Sequence, residues 1–390
     1  MKRIKLLFLI HDLRGRGAER FLATLLTRFD RKKYQLGLFV YHDTFAMSIP
    51  ADVKIISAHL KTAPASFGLL RKVAHFFIKV IALTRALNAY KPDVVLSVAG
   101  TNIALMIARY FCHGKPKIIL SEHTLPFIDN MHVGNRLERY FLNKAISAAV
   151  PRAEMIIVPS QGVSDHLSLN YGIPAEKIKV IPNPVDIEQI RKAADEGPDF
   201  PFPRDGNFRI GFVGGFTREK NVGCLLRAFA ILRRTEKPVR LYLIGDGDER
   251  ESLKDLSKKL SIEDAVHFLG YQNNPYSFLK ELDALVVPSY YETFSYVMLE
   301  AIACAVPVIS SKWPSCEYMY RDNENCLLFP VNDHDQLAQS LLRLMAGKDL
   351  RARLVRNGQE LLNTCNVETV AGQYDKAITR VLHNGASERP

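Results

Sequence analysis

The chain has 390 residues, 47% of them apolar and 24% charged, which is enough for two domains with separate cores and excludes a disordered or low-complexity polymer. No run reaches the ~18 uninterrupted apolar residues of a membrane span, and the six cysteines lack CxxC pairing, as reduced thiols do and zinc or disulfide frameworks do not. The net charge of +11 is uneven: residues 1–190 hold 26 Lys+Arg against 14 Asp+Glu, and residues 191–390 hold 26 against 27. The basic first half is suited to an anionic surface, either phospholipid or nucleic acid, with solubility alone as the plain alternative.

Lys5 to Ile10 is too short for a signal-peptide core and reads as a first buried strand. Further strands are expected at 36–41, 94–98, 117–121 and 155–159, with helical segments between them. Between 66 and 88, Leu69, Leu70, Val73, Phe76, Phe77, Val80, Ile81 and Leu83 form an apolar stripe interrupted by Arg71, Lys72, His75, Lys79 and Arg85. That helix suits either an anionic bilayer surface or an ordinary core. A boundary from Asn183 to Asn207, with the Pro184 turn and a proline-rich stretch at 197–203, separates a second series of strands, at 209–213, 240–244, 266–269, 284–287 and 306–310. Two strand–helix alternations predict two doubly wound α/β domains: residues 1–185, a linker at 186–207, and residues 208–365, with a helix over 366–390 crossing back to the first domain. Its apolar positions are Val370, Tyr374, Ile378 and Val381.

The chemistry concentrates in the second half. Tyr291-Glu292-Thr293-Phe294-Ser295-Tyr296-Val297-Met298-Leu299-Glu300 follows an expected strand and enters a helix. A helix beginning at Ser295 leaves the N–H groups of Ser295, Tyr296 and Val297 as an anion site fit for a diphosphate, with Glu292 and Glu300 as fixed acceptors for sugar hydroxyls. After the strand ending at Val213, Gly214 and Gly215 permit close backbone approach, and Lys220 places an ammonium against the same anion.

These segments resemble glycosyltransferase family 4, whose signature is two Glu separated by seven residues. The resemblance covers almost the whole chain and implies a GT-B fold, two Rossmann-like domains facing a central cleft, and a retaining transfer of sugar from a nucleotide diphosphate donor. It implies that Glu292 contacts the transferred sugar, Glu300 the ribose, and Lys220 the leaving diphosphate. The family's Arg position is occupied by Gly215, so Arg218 is the candidate substitute cation. Leu13-Arg14-Gly15-Arg16-Gly17-Ala18-Glu19-Arg20 is similar to the family's glycine-rich opening, which assigns Gly17 to donor phosphate. His123, in Ser121-Glu122-His123-Thr124, matches a family His that hydrogen-bonds the reacting sugar. Gly245 and Tyr271 match the nucleotide-proximal turns. Ser310 to Glu317 lacks the usual glycine-rich donor loop, and Cys326 stands where Gly is common.

Asp246-Gly247-Asp248 reads as a strand terminator, so no catalytic metal and no cofactor are expected. The donor is open among a UDP-hexose, a UDP-N-acetylhexosamine and a GDP-mannose, with a UDP-sugar favoured. The resemblance and the basic first half together imply a polyprenyl-diphosphate-linked saccharide as acceptor and an anionic membrane contact at the cytoplasmic face, and no nucleic-acid recognition motif is present. A GT-B nucleotide-sugar epimerase and a non-catalytic nucleotide-sugar-binding module are the alternatives.

Overall fold

The structure, a computed structural model, describes residues 3–14, 17–60, 69–98, 102–123, 136–198, 200–202, 204–235, 237–314 and 316–383. Gly15, Arg16, Thr124, Pro203, the segment 61–68 before the amphipathic helix, and the tail from residue 384 lie outside the described residues. The chain divides into two compact units, Met1–Pro184 with Val367–Pro390, and Val185–Asn366.

The first unit is built on seven strands: β1 (Ile4–Ile10), β2 (Tyr34–Val40), β3 (Lys54–Ser57), β4 (Val94–Val98), β5 (Lys117–Ser121), β6 (Met155–Val158) and β7 (Ile178–Val180). They lie in the order β3-β2-β1-β4-β5-β6-β7 with every pair parallel. Leu6 to Leu9 are wholly buried, which is why the central strands are continuous apolar runs. Helices α1 (Gly17–Leu26), α2 (Leu69–Tyr90), α3 (Asn102–Phe111), α4 (Arg136–Ala149) and α5 (Gln161–Tyr171) accompany this sheet. Helix α5 is capped by Ser160 at its start and closed by Gly172 in the left-handed conformation. Helix α2 is two-sided: Val80, Leu83, Leu87 and Tyr90 enter the core, while Val73, Phe77, Ile78 and Ile81 are each about half exposed.

The second unit holds β8 (Phe208–Val213), β9 (Val239–Ile244), β10 (Val266–Gly270), β11 (Ala284–Val287), β12 (Val308–Ser311) and β13 (Leu327–Phe329), ordered β10-β9-β8-β11-β12-β13 and again parallel throughout. Its helices are α6 (Ile187–Glu196), α7 (Val222–Arg233), α8 (Arg250–Lys259), α9 (Tyr276–Leu279), α10 (Tyr296–Ala303), α11 (His334–Ala346) and α12 (Lys348–Cys365). Two apolar clusters are built on this sheet, one including Phe212, Leu226 and Leu341, the other Leu285, Met298 and Trp313. Residues 186–207, expected as a linker, instead carry α6, capped by Asp186 and held by Arg191 Nε on Ala303 O at 3.2 Å and Asn274 Nδ2 on Ala193 O at 2.6 Å. The last helix, α13 (Val367–His383), belongs to the first unit and buries Val370, Tyr374, Ile378 and Val381 there.

Candidate active site

In the second sheet the strand order reverses between β8 and β11, so the loops leaving their carboxyl ends diverge and open a binding crevice. Those loops carry Lys220 and Glu292. Lys220 Nζ donates to Glu292 Oε1 at 2.7 Å, and Ser289 Oγ donates to the same oxygen at 2.8 Å. Tyr290 N donates to Glu219 O at 2.9 Å and Asn221 Nδ2 to Pro288 O at 3.3 Å, which lock the two loops together. Asn221 sits in the left-handed region that Asn tolerates, turning the chain from the Lys220 loop into α7.

The loop after β8 also interlocks with the one after β9. Gly214 N donates to Ile244 O at 3.0 Å and Phe216 N to Asp246 O at 2.9 Å. Gly245 has φ +140°, and a Cβ there would lie 1.9 Å from Gly214 O, so only glycine fits. Gly215 differs: a Cβ there meets nothing nearer than 3.7 Å. Arg218 is exposed and, among the described residues, its side chain makes no hydrogen bond or ion pair. Asp246 pairs with Arg250 at 2.8 Å, consistent with a turn role.

Helix α10 begins at Tyr296, one residue later than expected, with Ser295 before it in the left-handed conformation. The first-turn N–H groups of α10, at Tyr296 and Val297, have no intrahelical acceptor. Ser295 Oγ is buried without a hydrogen bond beside them. Glu300 lies on the same helix, 3% exposed, and accepts from Tyr276 Oη at 3.3 Å. Tyr271, just after β10, is 75% exposed and presents a free ring face. Sequence spacing does not reveal Ser289, Asn221 or Tyr276 as partners: Tyr276 reaches Glu300 and Asn221 reaches Pro288 through tertiary contact, and Ser289 reaches Glu292 through a turn whose shape the sequence does not print.

In the first unit, Gly17 is the exposed first residue of α1. His123 follows β5, deeply buried at 6% exposure, with Phe21 4.1 Å away between ring centroids. Burial depresses its pKa to about 4, opposed weakly by Asn183, so the ring is neutral. Beside it Ser97 Oγ donates to Asn102 Oδ1, and Asn102 Nδ2 to Glu122 Oε2, both at 2.8 Å, giving the carboxyl ends of β4 and β5 a buried polar chain. Beyond β1, Lys79 Nζ donates to His11 Nε2 at 2.9 Å; burial, then Lys79, lowers His11 to about 4. Among the described residues no group of three or more His, Cys, Asp or Glu is placed to hold a metal, and no helix is long and apolar enough to cross a membrane.

Two family models match: Glycosyltransferase Family 4 over residues 15–189 and Glycosyl transferases group 1 over residues 197–361. Among curated relatives, the N-acetylgalactosamine-N,N'-diacetylbacillosaminyl-diphospho-undecaprenol 4-alpha-N-acetylgalactosaminyltransferase of Campylobacter jejuni is 28% identical, over 89% of this chain and 92% of its own length. The GalNAc-alpha-(1->4)-GalNAc-alpha-(1->3)-diNAcBac-PP-undecaprenol alpha-1,4-N-acetyl-D-galactosaminyltransferase of the same organism is 26% identical over 97% and 99%. Among solved structures, Anabaena HepE in complex with UDP and glucose superposes with a TM-score of 0.75 at 19% identity, covering 97% of this chain and all of that one, a likeness of fold. Both units of the chain thus have the Rossmann-like form of GT-B glycosyltransferases.

Proposed function

This chain belongs to glycosyltransferase family 4, and on that premise we propose that it moves a hexose or N-acetylhexosamine from a nucleotide diphosphate sugar, a UDP-sugar by preference, to a hydroxyl of a polyprenyl-diphosphate-linked saccharide, with retention at the anomeric carbon. The observation that carries the reading is the Lys220–Glu292 pair at the β8/β11 reversal, one loop away from the amino end of α10.

The barrier in such a transfer is cleavage of the anomeric C–O bond as negative charge gathers on the departing diphosphate. Lys220 and the first-turn N–H groups of α10 at Tyr296 and Val297, with Ser295 before them, supply fixed positive potential where that charge appears. Arg218, exposed on the same loop, adds a second cation. Glu292 then orients the transferred sugar through its hydroxyls, and Glu300 holds the ribose. Gly214, Gly215 and Gly245 let backbone approach the diphosphate, Tyr271 offers its ring to the base, and Gly17 meets donor phosphate from α1. His123, kept neutral by burial, donates to a sugar hydroxyl. The acceptor hydroxyl attacks on the face from which the diphosphate leaves, since Glu292, paired with Lys220 and Ser289, serves as an orienting acceptor and no other carboxylate is assigned as a nucleophile.

The two Campylobacter jejuni relatives, matched along nearly their whole length, are named for undecaprenyl-diphosphate-linked acceptors, which supports a lipid-linked acceptor here. The basic first half and the exposed side of α2 support a peripheral position on the cytoplasmic face of an anionic membrane.

The test is a donor screen: purified protein with UDP-, GDP- and other nucleotide sugars, following nucleotide release with and without polyprenyl-diphosphate-linked saccharide, in chelator. The expected result is acceptor-dependent, chelator-resistant release from one donor that disappears in Glu292→Ala. Binding of nucleotide sugar without release from any donor overturns the transferase reading.

A further inference from the structure

Ser121 closes β5 two residues before His123. Its Oγ is 2.8 Å from His123 Nε2 and 2.9 Å from the hydroxyl of Tyr374, which lies 253 residues downstream of Ser121 on α13. All three are buried: Ser121 and Tyr374 are fully enclosed, and His123 is nearly so. Phe21 packs against both rings, its centroid 4.1 Å from that of His123 and 5.5 Å from that of Tyr374.

The direction of the chain follows from counting protons. Among the described residues the Tyr374 hydroxyl meets no hydrogen-bonding group except Ser121 Oγ. If the imidazole donated from Nε2 to Ser121, and Ser121 to Tyr374, the phenolic proton would be sealed in the core without an acceptor, an arrangement folded proteins avoid. In the other direction both hydroxyl protons are used: Tyr374 donates to Ser121, and Ser121 donates to Nε2. Nε2 is then the acceptor and the imidazole proton resides on Nδ1. Two facts agree. Nδ1 is buried and makes no hydrogen bond of its own, and Asn183, whose side-chain oxygen is likewise unpartnered, raises the proton affinity of the ring, as an acceptor facing a ring N–H does.

We propose that Tyr374, acting through Ser121, is a positioning residue that fixes His123 as the Nδ1–H tautomer, making Nδ1 the atom that donates to the sugar hydroxyl. The second half rests on the role given to His123 above; the tautomer rests on the hydrogen-bond chain alone. The terminal helix thereby serves the chemistry as well as the core.

The experiment is 15N NMR of the full-length protein with ring-labelled histidine, the His123 signals being assigned by their loss in His123→Gln, beside steady-state kinetics. In the wild type, Nδ1 is expected to carry the proton and Nε2 to show the shift of a bare nitrogen. Tyr374→Phe, which keeps the ring packed on Phe21, releases the direction of the Ser121 hydroxyl and brings in a measurable Nε2–H population. Its kcat falls about tenfold, the order of one weakened hydrogen bond, while KM for the nucleotide sugar moves less. Ser121→Ala behaves alike, and Ser121→Thr, which keeps the hydroxyl, retains the wild-type signature. A wild-type proton on Nε2, or an unchanged tautomer in both Tyr374→Phe and Ser121→Ala, overturns the relay. Unchanged turnover in His123→Gln, with the wild-type tautomer as stated, overturns the sugar contact and leaves the relay standing.

Discussion

Lys220 Nζ and Glu292 Oε1 lie 2.7 Å apart although 72 residues separate them, and the pair joins the loops that leave β8 and β11. The Glu292 side chain is 11% exposed, so without Lys220 its carboxylate keeps, among the described residues, only the Ser289 hydroxyl. Lys220→Ala is therefore expected to cost stability, by about 1–3 kcal/mol, and to lower kcat by roughly 10²–10³-fold through loss of charge at the leaving group. Adding Glu292→Gln recovers much of the stability and none of the turnover. Denaturant unfolding with nucleotide-release kinetics on the two single variants and the double variant reads both effects; a single variant with normal turnover counts against the assignment.

Gly215 and Gly245 are both glycines of the phosphate-side loops, yet they should respond oppositely to substitution. Gly245→Ala forces a Cβ into Gly214 O at a φ of +140°, and is expected to lose about 2–4 kcal/mol. Gly215→Arg has open space, so its melting temperature should stay near the wild-type value. Because this is where the family carries Arg, the new guanidinium should also raise kcat. Thermal unfolding of the two variants, followed by turnover of the second, decides the matter.

The buried His123 gives stability a definite pH dependence. Its folded pKa, about 4, lies below the ordinary 6.5, so between these values the unfolded chain binds the proton that the folded one refuses. Stability is full above about 6.5 and is lost as pH falls through that value toward about 4, by at most about 3 kcal/mol from this residue. Urea unfolding of wild type and His123→Gln across that interval should give a shallower slope in the variant. Parallel slopes would show that other groups carry the acid sensitivity.

On α2, Val73, Phe77 and Ile81 recur at every fourth residue and are about half exposed, so they share one face. Replacing Phe77 and Ile81 together by Ser is expected to weaken cosedimentation with anionic phospholipid vesicles by roughly tenfold or more, leaving the melting temperature nearly unchanged. Equal binding by the wild type and the double variant would remove α2 from the membrane contact.

The central strands were legible because burial on both faces leaves uninterrupted apolar runs; Ile4–Ile10, Val94–Val98, Lys117–Ser121 and Ala284–Val287 stand where the residues placed them. The edge strands β3, β7 and β13 are three or four residues long and are not legible in the sequence: β3 and β7 are partly exposed, which erases the apolar signal, and β13, though apolar and largely buried, is too short for a period to show. At the candidate site, motif spacing could nominate Glu292, Glu300, Lys220 and His123. It could not reveal that Ser289 shares Glu292 with Lys220, that Tyr276 meets Glu300, or that Tyr374 reaches Ser121. Those partners depend on how distant loops and helices pack, and no local periodicity encodes it. The left-handed backbone of Ser295, which moves the start of α10 to Tyr296, is equally a product of packing.

Val185 N donates to Cys365 O at 2.7 Å, and Val185 forms an isolated bridge with Asn366. The residue at which the chain enters the second unit is therefore beside the residues from which it leaves. Topologically, the protein is one domain with another spliced into it as a cassette, and the seam is a single pair of adjacent backbone segments. Joining Pro184 to Val367 would return the first domain its own terminal helix, and a different insert could enter at the same seam with neither sheet cut. Such an architecture lets one half of a two-domain enzyme be replaced while the other keeps its fold, which makes the seam a natural site for recombination.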